Sequence, residues 1–174
     1  QNVRYLDMAI QADPGFAIAH LTIGLAYFRT NDFEKTQQAL ESVMERYLHK
    51  LPERHQFIAK YVYYVLGQQP EKALAVVKMW ADLFPDDLTA HTTLAQRYAV
   101  RNMFPEAIHE YKEILRLDPE QYQVLLTLGD QYMRMGEMDS ALLYYEKYSM
   151  QLPQESQAYT KLGYYHRMNG DMER

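Results

Sequence analysis

The chain contains no cysteine. That excludes a disulfide framework and thiolate metal sites, and it fits a reducing, cytoplasmic compartment. No apolar run approaches the roughly 18 residues of a membrane span, so no membrane association is expected. Serine is scarce, at Ser42, Ser140, Ser149 and Ser156 only, and none lies in a Gly-x-Ser-x-Gly elbow. Seven glycines form no phosphate-cradling loop. Basic residues are not in excess, with 18 against 23 acidic ones. They gather in no stripe, which argues against a nucleic-acid partner. His109-Glu110 opens like a zinc-protease helix, but position 113 is Glu113 rather than a histidine. No converging ligand set is visible among the six histidines. The expectation is therefore no catalytic residue, no metal site and no cofactor.

What the chain has is a period. Of 174 residues, 48% are hydrophobic, enough to bury a sizeable core. Pro85, Pro119 and Pro153 stand 34 residues apart, as do Ala73, Ala107 and Ala141. Gly129 and Gly163 keep the same interval, as do Gly136 and Gly170. Self-similarity at this length marks stacked helical hairpins. Within residues 88–121, Leu94, Ala95 and Tyr98 lie on one helical face, and Ala107, Tyr111 and Ile114 on another. Pro105 suits a helix start. Asp118-Pro119 ends that helix, because the residue before proline is pushed out of the α region. In residues 122–155 the matching positions are Leu128, Gly129 and Tyr132, then Ala141, Tyr145 and Tyr148. Small residues at Gly129 and Ala141 let helix backbones approach, and Gly136 supplies a turn with positive φ. Most of the sixteen tyrosines fall at such packing positions, so core packing accounts for them better than base stacking.

Leu128-Gly129, Tyr132, Ala141, Tyr145 and Pro153 resemble the signature of the tetratricopeptide repeat (TPR) family at every point, and residues 88–121 match with Ala95 for glycine. The resemblance implies an all-α fold, a right-handed α-solenoid of antiparallel helix pairs. It divides the chain into a half repeat 1–16, repeats at about 17–53, 54–87, 88–121 and 122–155, and a half repeat 156–174. The chain does not begin with Met and residues 3–12 read as mid-helix, so a fragment of a longer protein is expected. Residues 17–53 show Ile23-Gly24 and Tyr27, with Thr36 where the packing alanine belongs. In residues 54–87, Lys60 or Tyr61 stands where a small residue is expected and Trp80 replaces a packing alanine. Pro14 to Pro85 is 71 residues, two periods plus three. The sequence therefore predicts a three-residue insertion between Val43 and Arg54, a longer helix before it and an irregular crossing after it. Leu51-Pro52-Glu53-Arg54, Pro70-Glu71-Lys72-Ala73-Leu74 and Phe84-Pro85-Asp86-Asp87 also resemble the repeat tails of bacterial serine/threonine kinases and of cyclase-like or transcriptional regulators.

The resemblance implies a non-catalytic protein-binding module whose first helices line a concave groove for a peptide or helix, within a larger bacterial signalling or regulatory protein. The implied groove residues are Ile18, Leu21, Leu25, Phe28 and Arg29, then Ile58 and Val62, Thr92 and Gln96, Leu126, Asp130, Met133 and Arg134, and finally Tyr164 and Arg167. These read as apolar at the N-terminal end and polar at the C-terminal end. The clamp of Lys, Asn, Asn, Lys and Arg with which some members hold acidic chaperone tails is missing. Leu21 and Leu25 replace its first positions in one register, and Thr92, Gln96, Thr127, Gln157 and Lys161 occupy it in another. The alternative expectation is a scaffold that self-associates through its terminal half repeats, with Tyr159, Leu162 and Tyr165 at the contact.

Overall fold

The computed structural model describes residues 2–168. The expected turn glycine Gly170 lies outside them. Among the described residues there are ten α-helices and no strand, so the chain is all-α, of the helical-repeat solenoid class. It divides into two compact units, Gln1–Phe84 and Pro85–Arg174.

In the first unit, α1 (Asn2–Ala12) precedes the hairpin of α2 (Ala17–Arg29) and α3 (Phe33–Ser42). After α3 the chain runs through a π-helical turn, Val43–Tyr47, and a 3-10 turn, Leu48–Lys50. Then come α4 (Glu53–Leu66) and α5 (Pro70–Leu83). The wide turn is where the insertion was expected, and π-helical turns are one way a helix absorbs extra residues. It lays Tyr47 against His20, with ring centres 4.3 Å apart and planes 12° from parallel. Val43 and Leu51 are buried with Ala17, Leu21, Leu40, Ala59 and Val62. The inserted segment thus belongs to the core of this unit.

The second unit holds α6 (Leu88–Val100), α7 (Phe104–Leu117), α8 (Gln123–Met135), α9 (Met138–Gln151) and α10 (Ser156–Met168). α6 pairs with α7 and α8 with α9, while α7–α8 and α9–α10 contacts continue the stack. Ala95 and Ala107 are fully buried, as are Leu128 and Ala141. Leu126, Ala141, Tyr145 and Tyr148 form one core cluster.

Turn chemistry repeats with the period. Asn31, Gln68, Asn102 and Gly136 carry φ of 58°, 51°, 58° and 80°, at intervals of 37, 34 and 34 residues. The N–H after each donates to the carbonyl of Tyr27, Tyr64, Tyr98 or Tyr132, five residues back, at 2.9–3.0 Å. This is the six-to-one bond of a Schellman turn. The single interval of 37 independently places three extra residues between Asn31 and Gln68. Gln68 is the least suited of the four to left-handed backbone, whereas its neighbour Gly67 has an ordinary φ of −72°. Gln68→Gly is therefore expected to stabilise the chain by about 0.5–1 kcal/mol, read as a higher urea midpoint.

A second recurring contact explains the histidines at one repeat position. The Nε2 of His20 lies 3.0 Å from the carbonyl oxygen of Pro14, and that of His91 lies 3.0 Å from the carbonyl of Pro85. The Tyr159 hydroxyl donates to the Pro153 carbonyl at 3.2 Å. Each polar side chain thus meets a carbonyl of the turn that leads into its own helix. His91 goes further, with Nδ1 2.6 Å from Oε2 of Glu110, both side chains buried. A carbonyl only accepts, so Nε2 carries a hydrogen. One further proton is then shared between Nδ1 and the carboxyl group. Glu110→Ala strands a buried ring nitrogen and is expected to cost about 1–2 kcal/mol in urea denaturation. Glu110→Gln, whose amide can donate to Nδ1, is expected to recover most of that.

Candidate functional site

The apolar positions expected to line a groove in the first unit are largely used inside it. Leu21 and Val62 are 1% and 4% exposed and belong to the core cluster. Leu25 and Phe28 are half-buried against the same cluster, and Phe28 also meets Phe33 edge-on at 6.4 Å. Leu21 and Val62 are thus corrected from groove residues to core residues. They meet Ala17 of α2, Leu40 of α3, Ala59 of α4 and Leu51 in one cluster, and so supply the apolar surface that joins these helices. Ile58 is half-buried, whereas Ile18 and Arg29 remain exposed. Trp80 is likewise no substitute for a small residue. It is 1% exposed and falls in period with Ile114 and Tyr148, both buried, so this position takes a large side chain.

In the second unit the expected residues separate by role. Leu126 is 6% exposed and sits in the core, a further correction, while Met133 packs against the same cluster. Asp130 accepts from the Tyr145 hydroxyl at 2.7 Å and pairs with Lys161 Nζ at 2.8 Å. Burial, followed by the hydrogen bond to Asp130, pushes the Tyr145 hydroxyl well above the usual phenol range. It stays protonated and donating. Arg134 is exposed, and the exposed Arg167 lies over the Tyr164 ring at 5.7 Å. Of the residues expected to mediate self-association, Tyr159 is exposed, Leu162 packs on the cluster and Tyr165 is buried, 3.4 Å from Asp139 Oδ1.

Thr92 and Gln96 do come together, in a pocket of ≈ 230 Å³. They are one turn apart on α6, and Gln123, Val124 and Thr127 reach the same pocket from α8. Leu88, Tyr111 and Ile114 supply apolar wall, and Gln121 closes the rim. No charged side chain lines it. Burial raises the pKa of Tyr111, with Arg134 opposing, so its phenol stays protonated. Gln123 is held in place: its Oε1 accepts from the Tyr148 hydroxyl at 3.2 Å and its amide nitrogen lies 3.5 Å from Gln157 Oε1. The Gln121 amide nitrogen donates to Asp118 at 2.9 Å, leaving its oxygen free. Groove register pointed to Thr92 and Gln96 from sequence. The walls from Tyr111 and Ile114 had been read only as packing. Among the described residues no group of three His, Cys, Asp or Glu could hold a metal ion. Nor is any helix long and apolar enough to cross a membrane.

A tetratricopeptide-repeat family description matches residues 101–163. Tetratricopeptide repeat protein 8 of Mus musculus is 24% identical over 120 residues, covering 69% of this chain and 22% of that protein. The BBSome complex member BBS4 of Bos taurus is 24% identical over 124 residues, covering 71% of this chain and 23% of that protein. The chain thus spans less than a quarter of the length of these curated relatives. Among solved structures, YrrB, described as a TPR protein with an unusual peptide-binding site, is similar with a TM-score of 0.69 at 19% identity, covering 91% of this chain and 80% of that one. MamA is similar at 0.68 and 15% identity, covering 89% of each chain. A thermophilic TPR protein of Thermus thermophilus is similar at 0.65 and 17% identity, covering 94% of this chain and 88% of that one. At these identities the structural likeness is one of fold.

Proposed function

We propose that this chain, which belongs to the tetratricopeptide-repeat family, is a protein-binding module that holds a segment of another protein at the α6–α8 pocket. The observation that carries this reading is the pairing of side chains in that pocket. Thr92 and Gln96 from one first helix face Gln123 and Thr127 from the next, over an apolar floor. Among the described residues, neither Thr92 nor Gln96 has a side-chain hydrogen-bond partner. Open polar groups over an apolar floor suit a ligand that brings both kinds of contact. The volume is below the roughly 300–1,000 Å³ of an ordinary small-molecule site, so a single residue of a longer segment fits it better than a cofactor.

The test is a displayed library of random peptides selected on the 174-residue chain. Selected peptides should lose about tenfold or more in affinity against Thr127→Trp, which fills the pocket, and a smaller factor against the surface change Gln96→Ala. Circular dichroism of both variants should match the parent. Binders indifferent to both substitutions would sink the reading.

A further inference from the structure

We propose, resting on the reading above, that this pocket selects an asparagine or glutamine side chain of the bound peptide. The argument begins with the inventory of open groups. Gln96 offers an N–H₂ and a carbonyl, Thr92 a hydroxyl, Gln121 a carbonyl oxygen and Gln123 its second amide hydrogen. Donors and acceptors are therefore both present, on three different structural elements. Gln123 is held by Tyr148 and Gln157, which leaves one of its amide hydrogens for a ligand.

Formal charge is absent from the lining; outside it, the Arg134 charge reaches the Tyr111 phenol, and two nearby carboxylates are engaged. Asp130 is occupied by Tyr145 and Lys161. Asp118 is occupied by the Glu120 N–H at 3.2 Å and by Gln121. A carboxylate entering the pocket would shed water with no cation in the lining to meet it, which is unfavourable. It would also present only acceptors to the open oxygens of Gln121 and Gln96. An ammonium would be a charge with no counter-charge. A leucine would satisfy the apolar wall but leave the amides desolvated and unpaired. A primary carboxamide offers two donors and an acceptor without charge. It is the side chain that answers the whole set, and its methylene stem can lie on Ile114 and Val124.

The experiment uses three acetylated, amidated peptides taken from a library-selected sequence. They are identical but for one position, which holds Gln, Glu or Leu. Titration calorimetry against the 174-residue chain should give the Gln peptide about tenfold or greater preference over both others. That preference should shrink with Gln96→Leu. Because no ion pair forms, the Gln-peptide affinity should change little between low and high salt. Equal or tighter binding of the Glu or Leu peptide, or a steep loss with salt, overturns the inference while leaving a peptide site intact. Selected peptides that depend on Thr127 but show no enrichment of Asn or Gln overturn it as well. A library that yields no binder sensitive to Thr127→Trp overturns both this inference and the function on which it rests.

Discussion

Trp80→Ala should cost about 3–5 kcal/mol, the largest single-residue loss expected anywhere in the chain. Trp80 is the chain's single tryptophan, and its side chain is 1% exposed. It sits on α5 one turn beyond Val77 and two beyond Ala73, both also buried. The Arg54 guanidinium covers its ring at 5.7 Å from the ring centre, so part of the seal on this core is itself a cation over an indole. Truncation removes the transfer energy of the indole and leaves a cavity that the flanking helices close only in part. It also strands the stem of Arg54 beside that cavity. Trp80→Phe keeps an aromatic ring at the site and should lose less than half as much. Urea denaturation followed by far-ultraviolet circular dichroism, with hydrogen exchange of α5 amides, measures both. A loss below about 1 kcal/mol for Trp80→Ala would show that the position tolerates a small residue after all.

The error over Trp80 shows what was legible in the sequence. Period and turn chemistry were, because each repeats: Gly136 was read as a left-handed turn residue, and its φ is 80°. The insertion was legible from proline spacing alone, and the 37-residue interval between turn residues locates it again. What periodicity could not supply is where the protein departs from its own repeat. Leu21 and Val62 carry the register of groove residues, yet they are buried in one cluster with Val43, Leu51 and Leu40. An apolar residue on a first helix reads the same whether a ligand or the chain itself covers it. Glu110 was passed over for the converse reason. It lies on the inner face of α7 beside Ala107, Tyr111 and Ile114, and only the histidine 19 residues earlier explains it. A polar residue within an otherwise apolar stripe, in register with a histidine where an aromatic belongs, was the available signal. In the second unit, Thr92 and Gln96 line a pocket together with residues of α8. One period on, Leu126 holds the position of Thr92 and is buried instead, so even a regular repeat does not carry a role from one hairpin to the next.

Gly129→Ala should destabilise the second unit by about 2 kcal/mol, although helix propensity predicts a gain of about 1 kcal/mol for the same change. A methyl group built on Gly129 would lie no more than 3.0 Å from three carbons of the Tyr145 ring. The ring has little freedom to retreat. Tyr145 is 1% exposed, and its hydroxyl is tied to Asp130, which Lys161 of α10 holds in turn. Moving the ring therefore strains contacts among α8, α9 and α10 together. One period earlier, Ala95 stands at the corresponding position, fully buried, with Tyr111 in the place of Tyr145. By sequence analogy alone, then, Gly129→Ala is a conservative and even stabilising change. The decisive measurement is a double-mutant cycle with Tyr145→Leu, in urea, by circular dichroism. If the ring is what refuses the methyl group, Gly129→Ala should cost little or nothing once Tyr145 is leucine. The double variant should then be more stable than the two single losses add up to, by about 1–3 kcal/mol. A stabilised Gly129→Ala, or strict additivity, would mean that α8 and α9 can part as far as α6 and α7 do at Ala95. The close approach of backbone and ring would then have no energetic weight.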